Sequence, residues 1–403
     1  MKPLKYLFIS SMLFVATSCG NSWLDLEPST SVDTETSIKI LSDVEFTLNG
    51  IYSTMQSSDA YSGRLVYYGD VTGDDMQAVS STKRVANYYR FNFTKDDNPS
   101  SHWSYLYSII QNCNLILMNI DKLVIDEDDK AYRDDLKGEA LAIRGLALFD
   151  LTRIFGYPYL KDNGASLGVP IIEGLSTIDS KPTRNTVAQC YTKIIDDLTQ
   201  SLSLLGEKFN KGKINKWGAM VLLSRVYLYK GENANALKMA SDAIIGAEKN
   251  KYALWTNEDY PTAWGEDASA SKPGEVLFEI VNLTTDSPGK ESMGYLNSYD
   301  GYDDMCITCS FYQFLKEDPK DIRLKLLSFD KKYYAYVNKY QPQREENIED
   351  ANIPLIRLSE AYLNAAEAAV KENDNDAAVK YLDPIVKRAN PDNTVVGQTI
   401  TLE

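Results

Sequence analysis

Apolar residues recur at helical spacing along most of the chain. Residues 41–55 and 186–205 each carry a stripe of apolar side chains separated by polar ones, and residues 103–123 continue the same pattern. Because an α-helix turns once every 3.6 residues, this spacing places the apolar side chains on one face. The pattern predicts a mainly helical protein with a scaffold at approximately residues 41–57, 103–160, 186–250 and 354–390.

One predicted helix is apolar on every side. Within residues 139–160, the positions from Ala140 to Phe149 are apolar or glycine except for Arg144. Such a helix is surrounded by other elements, and its arginine must find a buried partner because an unpaired buried charge costs several kcal/mol, on the order of 3–5. Gly156 and Pro158 predict the end of the helix, with Gly156 in a left-handed conformation.

Two pairs of helices resemble each other. Residues 217–229 and 233–247 form the first pair, and residues 356–370 and 376–389 form the second. Alanines lie at the positions where tetratricopeptide helices approach closely. The pairs are either tetratricopeptide-like units or ordinary helical hairpins, and both interpretations predict stacked helix pairs.

Two stretches interrupt the helical pattern and are predicted to be loop-rich. They cover approximately residues 61–102 and 251–344, and both combine aromatic side chains with Gly, Asp, Ser, Thr and Asn. Within the second stretch, residues 275–281 have the composition of a β-strand. Long aromatic-rich loops inserted in a helical scaffold are typical of binding sites.

Tyrosine rings in these loops are the candidate ligand-binding residues. The chain has 27 tyrosines, and a tyrosine offers a flat apolar ring with a hydrogen-bonding edge, which suits the C–H face of a sugar. The candidates are Tyr88 and Tyr89 in the first loop and Tyr295, Tyr299 and Tyr302 in the second. Each ring alone fits a core or surface position equally well. The hypothesis therefore requires the two loops to converge.

Composition narrows the possible functions. A formal net charge of −15 argues against a nucleic-acid partner, because nucleic acids reward lysine and arginine. The single histidine, His102, excludes a multi-histidine metal site and argues against a Ser-His-Asp triad. The carboxylate pairs Asp74-Asp75 and Asp303-Asp304 are better explained as solvated loop acids than as a glycosidase pair. We therefore predict no catalytic residue, no metal and no cofactor.

The cysteines do not suggest a metal site. Cys113 and Cys190 lie in helical patterns and are predicted to be small core residues. Cys306 and Cys309 have the C-x-x-C spacing without a second pair. They form either a local disulfide or two unused thiols.

The amino terminus has the pattern of an export signal. Residues 1–5 carry positive charge, residues 6–15 are apolar, and small residues precede Cys19. We predict a lipoprotein signal peptide at residues 1–18, with acylation of Cys19 and an extracytoplasmic location. The alternative is cleavage by ordinary signal peptidase, with Cys19 incidental.

The motifs together resemble those of a known family. They are WLDLEP at residues 23–28, VEFTLNGIYSTM at 44–55, WSYLYSIIQNCNLIL at 103–117, the helix at 139–160, the segments 217–231 and 275–280, and PLIRLSEAYLNAAEA at 354–368. In order and spacing, and with Cys19 before them, they resemble the SusD/RagB family of outer-membrane lipoproteins from gut and oral Bacteroidota. The resemblance implies a SusD-like superhelix of tetratricopeptide-like pairs with a loop-rich half, in one domain spanning residues 19–403.

The resemblance also implies a function. Family members act as lids on TonB-dependent, SusC-like outer-membrane transporters and bind nutrients, mostly glycans. We therefore expect a lipid-anchored cell-surface protein that captures an oligosaccharide and delivers it to such a transporter. The alternatives are capture of a peptide nutrient and a tetratricopeptide-type interaction scaffold. Family members usually continue beyond the position of Leu402, so the carboxy-terminal part of the domain is expected to be missing.

Overall fold

The structure is a computed structural model. It describes residues 37–93, 100–177, 179–265, 273–330, 334–342 and 347–402. The predicted signal peptide and Cys19 lie outside the described residues.

Helices dominate the described part of the chain, which confirms the predicted mainly α class. In chain order they are α1 (Leu41–Gln56), α2 (Arg64–Thr72), α3 (Ala86–Tyr89), α4 (Ser100–Asn119), α5 (Lys130–Phe155), α6 (Val187–Leu204), α7 (Lys216–Lys230), α8 (Asn233–Lys249), α9 (Met293–Leu296), α10 (Cys309–Lys316), α11 (Leu358–Lys371) and α12 (Asn375–Ala389). The described ranges also contain six short strands: β1 (Met76–Ala78), β2 (Val276–Ile280), β3 (Met305–Ile307), β4 (Leu327–Phe329), β5 (Ala335–Val337) and β6 (Ile353–Arg357).

The long helices stack in one continuous array. Packing runs from α1 to α4, then through α5, α6, α7 and α8, and passes directly to α11 and α12. The chain therefore leaves the array after α8 and returns to it at α11. Among the described residues, the strands form three two-stranded antiparallel sheets, β1 with β3, β2 with β6 and β4 with β5. All of them lie in the segments between α1 and α4 and between α8 and α11.

Helix α5 is the buried centre of the array, as its composition predicts. Nearly every residue from Leu136 to Thr152 is buried. Arg144 donates from Nε and Nη2 to the carboxylate of Asp197 at 2.8 and 2.6 Å, and from Nη1 to Asn114 Oδ1 at 2.8 Å. The predicted buried structural pair is confirmed. It joins α4, α5 and α6.

The end of α5 differs from the prediction in one detail. Gly156 is extended, with φ −112 and ψ 170, and is not left-handed. Glycine is needed there for space, because a Cβ atom would lie 2.7 Å from the Thr152 carbonyl oxygen. Gly231, at the end of α7, does adopt the left-handed conformation with φ 81.

The two similar helix pairs pack against each other. Helix α8 lies against α11, and alanines line the contact on both helices. Asn364 Nδ2 donates to Ser224 Oγ at 2.9 Å, and Arg225 binds both carboxylate oxygens of Glu360. The second pair begins later than predicted. Residues 353–357 are strand β6, because their backbone pairs with that of β2.

The two predicted loop-rich stretches contain short regular elements. Strand β2 confirms the strand predicted at residues 275–281. Helix α2 lies inside the first stretch, where the prediction placed loop, because its apolar pattern lasts only two turns and is too short to recognise. Cys113, Cys190 and Cys306 are buried and Cys309 is exposed, all as free thiols. Among the described helices, none combines the length and the apolarity that a membrane crossing requires.

Glu139 makes the stability of the helical array depend on pH. This carboxyl is 6% exposed, accepts a hydrogen bond of 2.6 Å from the Tyr52 hydroxyl, and lies near Asp135 and Glu45. Burial raises its pKa to about 7 from an ordinary value of 4.5. Because the folded state holds the proton more tightly than the unfolded chain, stability is lost as pH rises from about 4.5 to about 7.

Replacing Glu139 by glutamine should therefore remove part of the pH dependence. We expect Glu139→Gln to match the parent protein at pH 4.5 and to exceed its free energy of unfolding at pH 8 by up to about 3 kcal/mol. Urea unfolding at the two pH values measures the difference. Parallel stability curves for the two proteins across this range would contradict the prediction.

Candidate functional site

The two aromatic loops meet at a small sheet. Strand β1 of the first loop pairs with β3 of the second, with Met76 opposite Ile307 and Ala78 opposite Met305. The Val79 amide donates to the Asp304 carbonyl oxygen at 3.2 Å, which extends the pairing. The two loops therefore converge, as the binding hypothesis requires.

Arg84 fastens the first loop to the second. Its guanidinium lies 3.9 Å from the ring centroid of Tyr302 and donates to Asp304 and to Glu291, each at 3.2 Å. Asp304 is 2% exposed, and burial raises its pKa although Arg84 opposes the shift. Lys83 donates to the Tyr302 carbonyl oxygen. These contacts hold the tyrosine-bearing turn of the second loop in a fixed position.

The candidate tyrosines of the first loop have opposite environments. Tyr88 is fully buried and packs against Tyr67, Tyr68 and His102. A fully buried ring has no face for a ligand, so Tyr88 acts in packing here. Tyr89, the next residue, is 38% exposed.

The candidate tyrosines of the second loop share one tight turn. Tyr295 and Tyr302 are half-buried, and their rings contact each other edge to face with 4.9 Å between the ring centroids. The Tyr302 amide donates to the Tyr295 carbonyl oxygen. Arg84 covers one face of Tyr302. Tyr299 is 46% exposed, lies 5.9 Å from the buried ring of Tyr336, and lines a cavity. The five rings therefore do not form one wall, and their role in binding stays a prediction.

We name the cavity beside Tyr299 the outer cavity. Its volume is about 400 Å³. The lining residues that bear polar side chains are Asn297, Ser298, Tyr299, Asp300, Ser328, Asn338, Tyr340 and Gln341. A half-exposed ring beside amide, hydroxyl and carboxylate groups combines an apolar face with hydrogen-bond donors and acceptors. This combination suits a polyhydroxylated ligand.

A second, smaller cavity of about 180 Å³ adjoins it, and we name it the inner cavity. Asn297, Val337 and Tyr340 line both, so the two cavities share a wall. The inner cavity has an apolar wall formed by Met76, Phe311, Leu315, Leu326, Leu327 and Val337. Its polar lining residues are Asp70, Asp75, Asn297, Arg323, Lys339 and Tyr340.

Two opposite charges face the inner cavity. Burial raises the pKa of Asp70 to about 6, an effect that Lys339 opposes and Asp75 strengthens. Burial lowers the pKa of Lys339 to about 8, and Arg357 adds to this shift. At pH 7 Asp70 is therefore mainly a carboxylate and Lys339 mainly an ammonium group, both in a partly desolvated environment, and Asp75 and Arg323 bring a second acidic and a second basic side chain to the lining.

Sequence reasoning missed most residues of the two cavities. Asp70, Asn297, Lys339 and Tyr340 lie in three separate segments of the chain, and none belongs to a recognisable motif. Phe91 of the first aromatic loop lines neither cavity. It is 65% exposed in a left-handed conformation with φ 54, which a bulky side chain rarely adopts.

The residues considered for catalysis have other partners. His102 is 1% exposed and stacks on Tyr88, and its Nδ1 atom lies 3.3 Å from the Asp59 carbonyl oxygen. Asp304 is bound by Arg84, and Asp303 accepts from the Tyr336 hydroxyl. Within the described residues, no group of three or more His, Cys, Asp or Glu side chains could hold a metal ion.

A third cavity, of about 370 Å³, lies between helices α5 and α7 of the array, helix α2 and strand β6, and we name it the helical groove. Arg153 lies on its lining with Asp150 as its ion partner, and Asp150 also accepts from the Tyr61 hydroxyl at 2.8 Å. The ring of Tyr229, 48% exposed, lies 5.4 Å from the Arg153 guanidinium. These polar groups satisfy one another.

Comparison with known families gave two matches. Residues 22–228 match the family described as "Starch-binding associating with outer membrane". Residues 326–401 match the family described as "SusD family".

Comparisons with solved structures and with curated proteins indicate the same family. A protein from Bacteroides vulgatus is 81% identical, with a TM-score of 0.89 over 91% of this chain and 82% of the other. A SusD superfamily protein from the same species is 38% identical, with a TM-score of 0.83 over 89% and 82%. SusD-like protein P2 of Formosa agariphila is 28% identical over 75% of this chain and 57% of its own. The chain spans about half the length of the curated relatives it matches.

Proposed function

The chain belongs to the SusD family, and from this premise we propose that it binds an oligosaccharide at the outer cavity. The observation that carries the proposal is Tyr299, a half-exposed ring on a cavity of about 400 Å³ with polar side chains around it. A sugar ring can stack its C–H face on the tyrosine while its hydroxyls meet Asn297, Asp300 and Gln341. No covalent step is needed, so the protein acts by binding and not as an enzyme.

Capture would be followed by transfer. In this proposal, acyl chains on Cys19 hold the protein at the outer membrane with its body at the cell surface, and a TonB-dependent, SusC-like transporter receives the oligosaccharide. Modest affinity suits this role, because a slow release would delay transfer. The description of the matched family as starch-binding and associated with the outer membrane supports both parts of the proposal.

Removing the Tyr299 ring should weaken glycan binding. Stacking on an aromatic ring contributes about 1 kcal/mol, so we expect Tyr299→Ala to lower the affinity for a bound oligosaccharide about fivefold. Titration calorimetry with a panel of neutral oligosaccharides, including malto- and laminari-oligosaccharides, measures the change. Melting temperature should change little, because nearly half of the ring is exposed.

Tyr229 provides a matched control on the helical groove. It is exposed to the same degree as Tyr299, at 48% against 46%, but lines a different cavity. We expect Tyr229→Ala to leave oligosaccharide affinity unchanged. If Tyr229→Ala weakens binding and Tyr299→Ala does not, the glycan site lies on the helical groove and the outer cavity is the wrong assignment.

The interaction scaffold remains the second candidate function. The helical groove favours it, since this cavity of about 370 Å³ is lined in part by the packed helices α5 and α7, and ligand sites often lie between packed helices. Binding of peptides in place of oligosaccharides, with loss on Tyr229→Ala, would support this candidate.

A further inference from the structure

The inner cavity contains polar groups that the described residues leave without hydrogen-bond partners. Asn297 is 4% exposed, and its Nδ2 donates to the Val337 carbonyl oxygen at 2.6 Å. This bond fixes the amide orientation. Its Oδ1 is buried and accepts no hydrogen bond from any described residue. A buried acceptor without a donor destabilises the protein, so a ligand that donates to it would recover that energy.

Asp70 and Lys339 add one acceptor and one donor to the same cavity. Among the described residues, neither side chain is hydrogen-bonded or within ion-pair distance of an opposite charge. Lys339 is held against the ring of Trp264, with its Nζ 5.2 Å from the ring centroid. Tyr340 completes the set, since its hydroxyl is also without a described hydrogen-bond partner and its ring lines both cavities.

The size of the inner cavity limits what can enter. Its volume of about 180 Å³ is less than half that of the outer cavity. Its lining is mostly apolar, with the unpartnered polar groups distributed among three segments of chain. One small, compact, polyhydroxylated ring fits this description, whereas a peptide segment requires a longer groove.

We infer that the inner cavity receives one uncharged sugar residue of the glycan bound at the outer cavity. The inference rests on the proposed function and adds the charge class of the ligand. Each hydroxyl of a sugar both donates and accepts, so one ring can donate to Asp70 and to Asn297 Oδ1 while it accepts from Lys339 and Tyr340.

The two opposite charges select against charged sugars. A uronic acid that bound Lys339 would bring a second carboxylate close to Asp70, and an amino sugar that bound Asp70 would bring a second ammonium close to Lys339. Like charges confined together at a binding site cost several kcal/mol. A neutral residue leaves both charges with hydrogen-bonding partners.

Charge selectivity provides the test. The probes are the neutral oligosaccharide that binds best in the panel above, oligogalacturonate as the anionic probe and N-trimethylated chitosan oligosaccharides, called chitosan oligosaccharides below, as the cationic probe, since their quaternary ammonium groups stay charged at pH 7. Calorimetry at pH 7 should show that the parent protein prefers the neutral probe by more than about tenfold. Asp70→Asn should raise the affinity for oligogalacturonate about tenfold, and Lys339→Met should raise it for chitosan oligosaccharides.

A cavity-filling variant gives an independent readout. Phe311 lines the inner cavity and does not line the outer one. Phe311→Trp should occupy part of the inner cavity, keep the melting temperature, and lower the affinity for the neutral probe at least tenfold. Far-UV circular dichroism and melting curves verify that each variant is folded.

The outcomes separate this inference from the proposed function. If no oligosaccharide binds, the proposed function fails and this inference fails with it. If the neutral probe binds and Tyr299→Ala weakens it, while Asp70→Asn, Lys339→Met and Phe311→Trp change neither affinity nor charge preference, the outer cavity binds alone and the inference is overturned. A parent protein that prefers oligogalacturonate or chitosan oligosaccharides would also overturn it.

Discussion

Replacing Asp197 by asparagine should lower the free energy of unfolding by about 3–5 kcal/mol, since it leaves the buried Arg144 guanidinium without its counter-charge. Arg144 is 7% exposed, and Asp197 accepts two of its three hydrogen bonds to side chains. Asparagine keeps the volume of the side chain, so the loss reports the charge and not a cavity. Urea unfolding at pH 7, with a constant slope against denaturant, measures the change.

An exposed ion pair is the control for this substitution. Lys130 and Glu127 lie 2.8 Å apart with more than half of each side chain exposed, so Lys130→Gln should change stability by less than about 0.5 kcal/mol. The double variant Arg144→Met with Asp197→Leu should be much more stable than Asp197→Asn, because it removes both charges from the core. Equal losses of unfolding free energy in Asp197→Asn and Lys130→Gln would show that the buried pair contributes no more to stability than an exposed one.

The second large effect is expected at Glu275. This carboxylate is fully buried and accepts from Arg357 at 2.9 Å, from Arg388 at 2.7 Å and from the Trp255 amide at 2.8 Å. It joins the segment before β2 to β6 and α12, so it fastens the loop-rich half to the last helix pair. Glu275→Gln leaves two guanidinium groups near an uncharged amide, and we expect a loss of about 3–5 kcal/mol in the free energy of unfolding.

Glu275→Gln should also affect the inner cavity. The Arg357 guanidinium lies 4.7 Å from the centroid of Trp264, the ring against which Lys339 packs. A shift of Arg357 would therefore disturb Lys339, and we expect weaker binding of the neutral oligosaccharide. Glu367, an exposed residue of α11 paired with Lys371, provides the control, since Glu367→Gln should change neither the free energy of unfolding nor the oligosaccharide affinity. Unchanged stability in Glu275→Gln would show that the arginines find other partners.

The first prediction concerns contacts within the helical array, and the second concerns contacts between the array and the loop-rich half. The Arg144 and Asp197 pair holds helices of the array together, and Glu275 holds the irregular half onto the array. Loops that carry a binding site need such anchoring, because residues that move freely lose entropy on binding. Arg84 has the same role between the two aromatic loops themselves.

The helices could be predicted from the sequence because their signal is local. A stripe of apolar residues at a period of 3.6 defines a helix without knowledge of its partners, and the partner requirement of Arg144 followed from its place among apolar residues. Helix α2 and strand β6 were harder to predict from the sequence. The first is too short to show a period, and the second is defined by its pairing with β2.

The candidate site was harder to predict for a different reason. Tyr88 and Tyr89 are adjacent and chemically identical, yet one is fully buried and the other is 38% exposed. Successive residues of a helical turn point about 100° apart, and only the packing of α3 against Tyr67 and Tyr68 decides which one faces inward. Asn297, Asp70 and Lys339 show no pattern at all in the sequence.

The amino-acid sequence by itself determined the helical class, the array and its central arginine, the two aromatic stretches and the family, because each depends on local periodicity or on motif order. Only the tertiary structure decided which aromatic rings are open, and that Asp70, Asn297 and Lys339 line one cavity. The physical reason is distance along the chain. Contacts between segments separated by more than two hundred residues depend on how the whole array packs, and no local pattern records them.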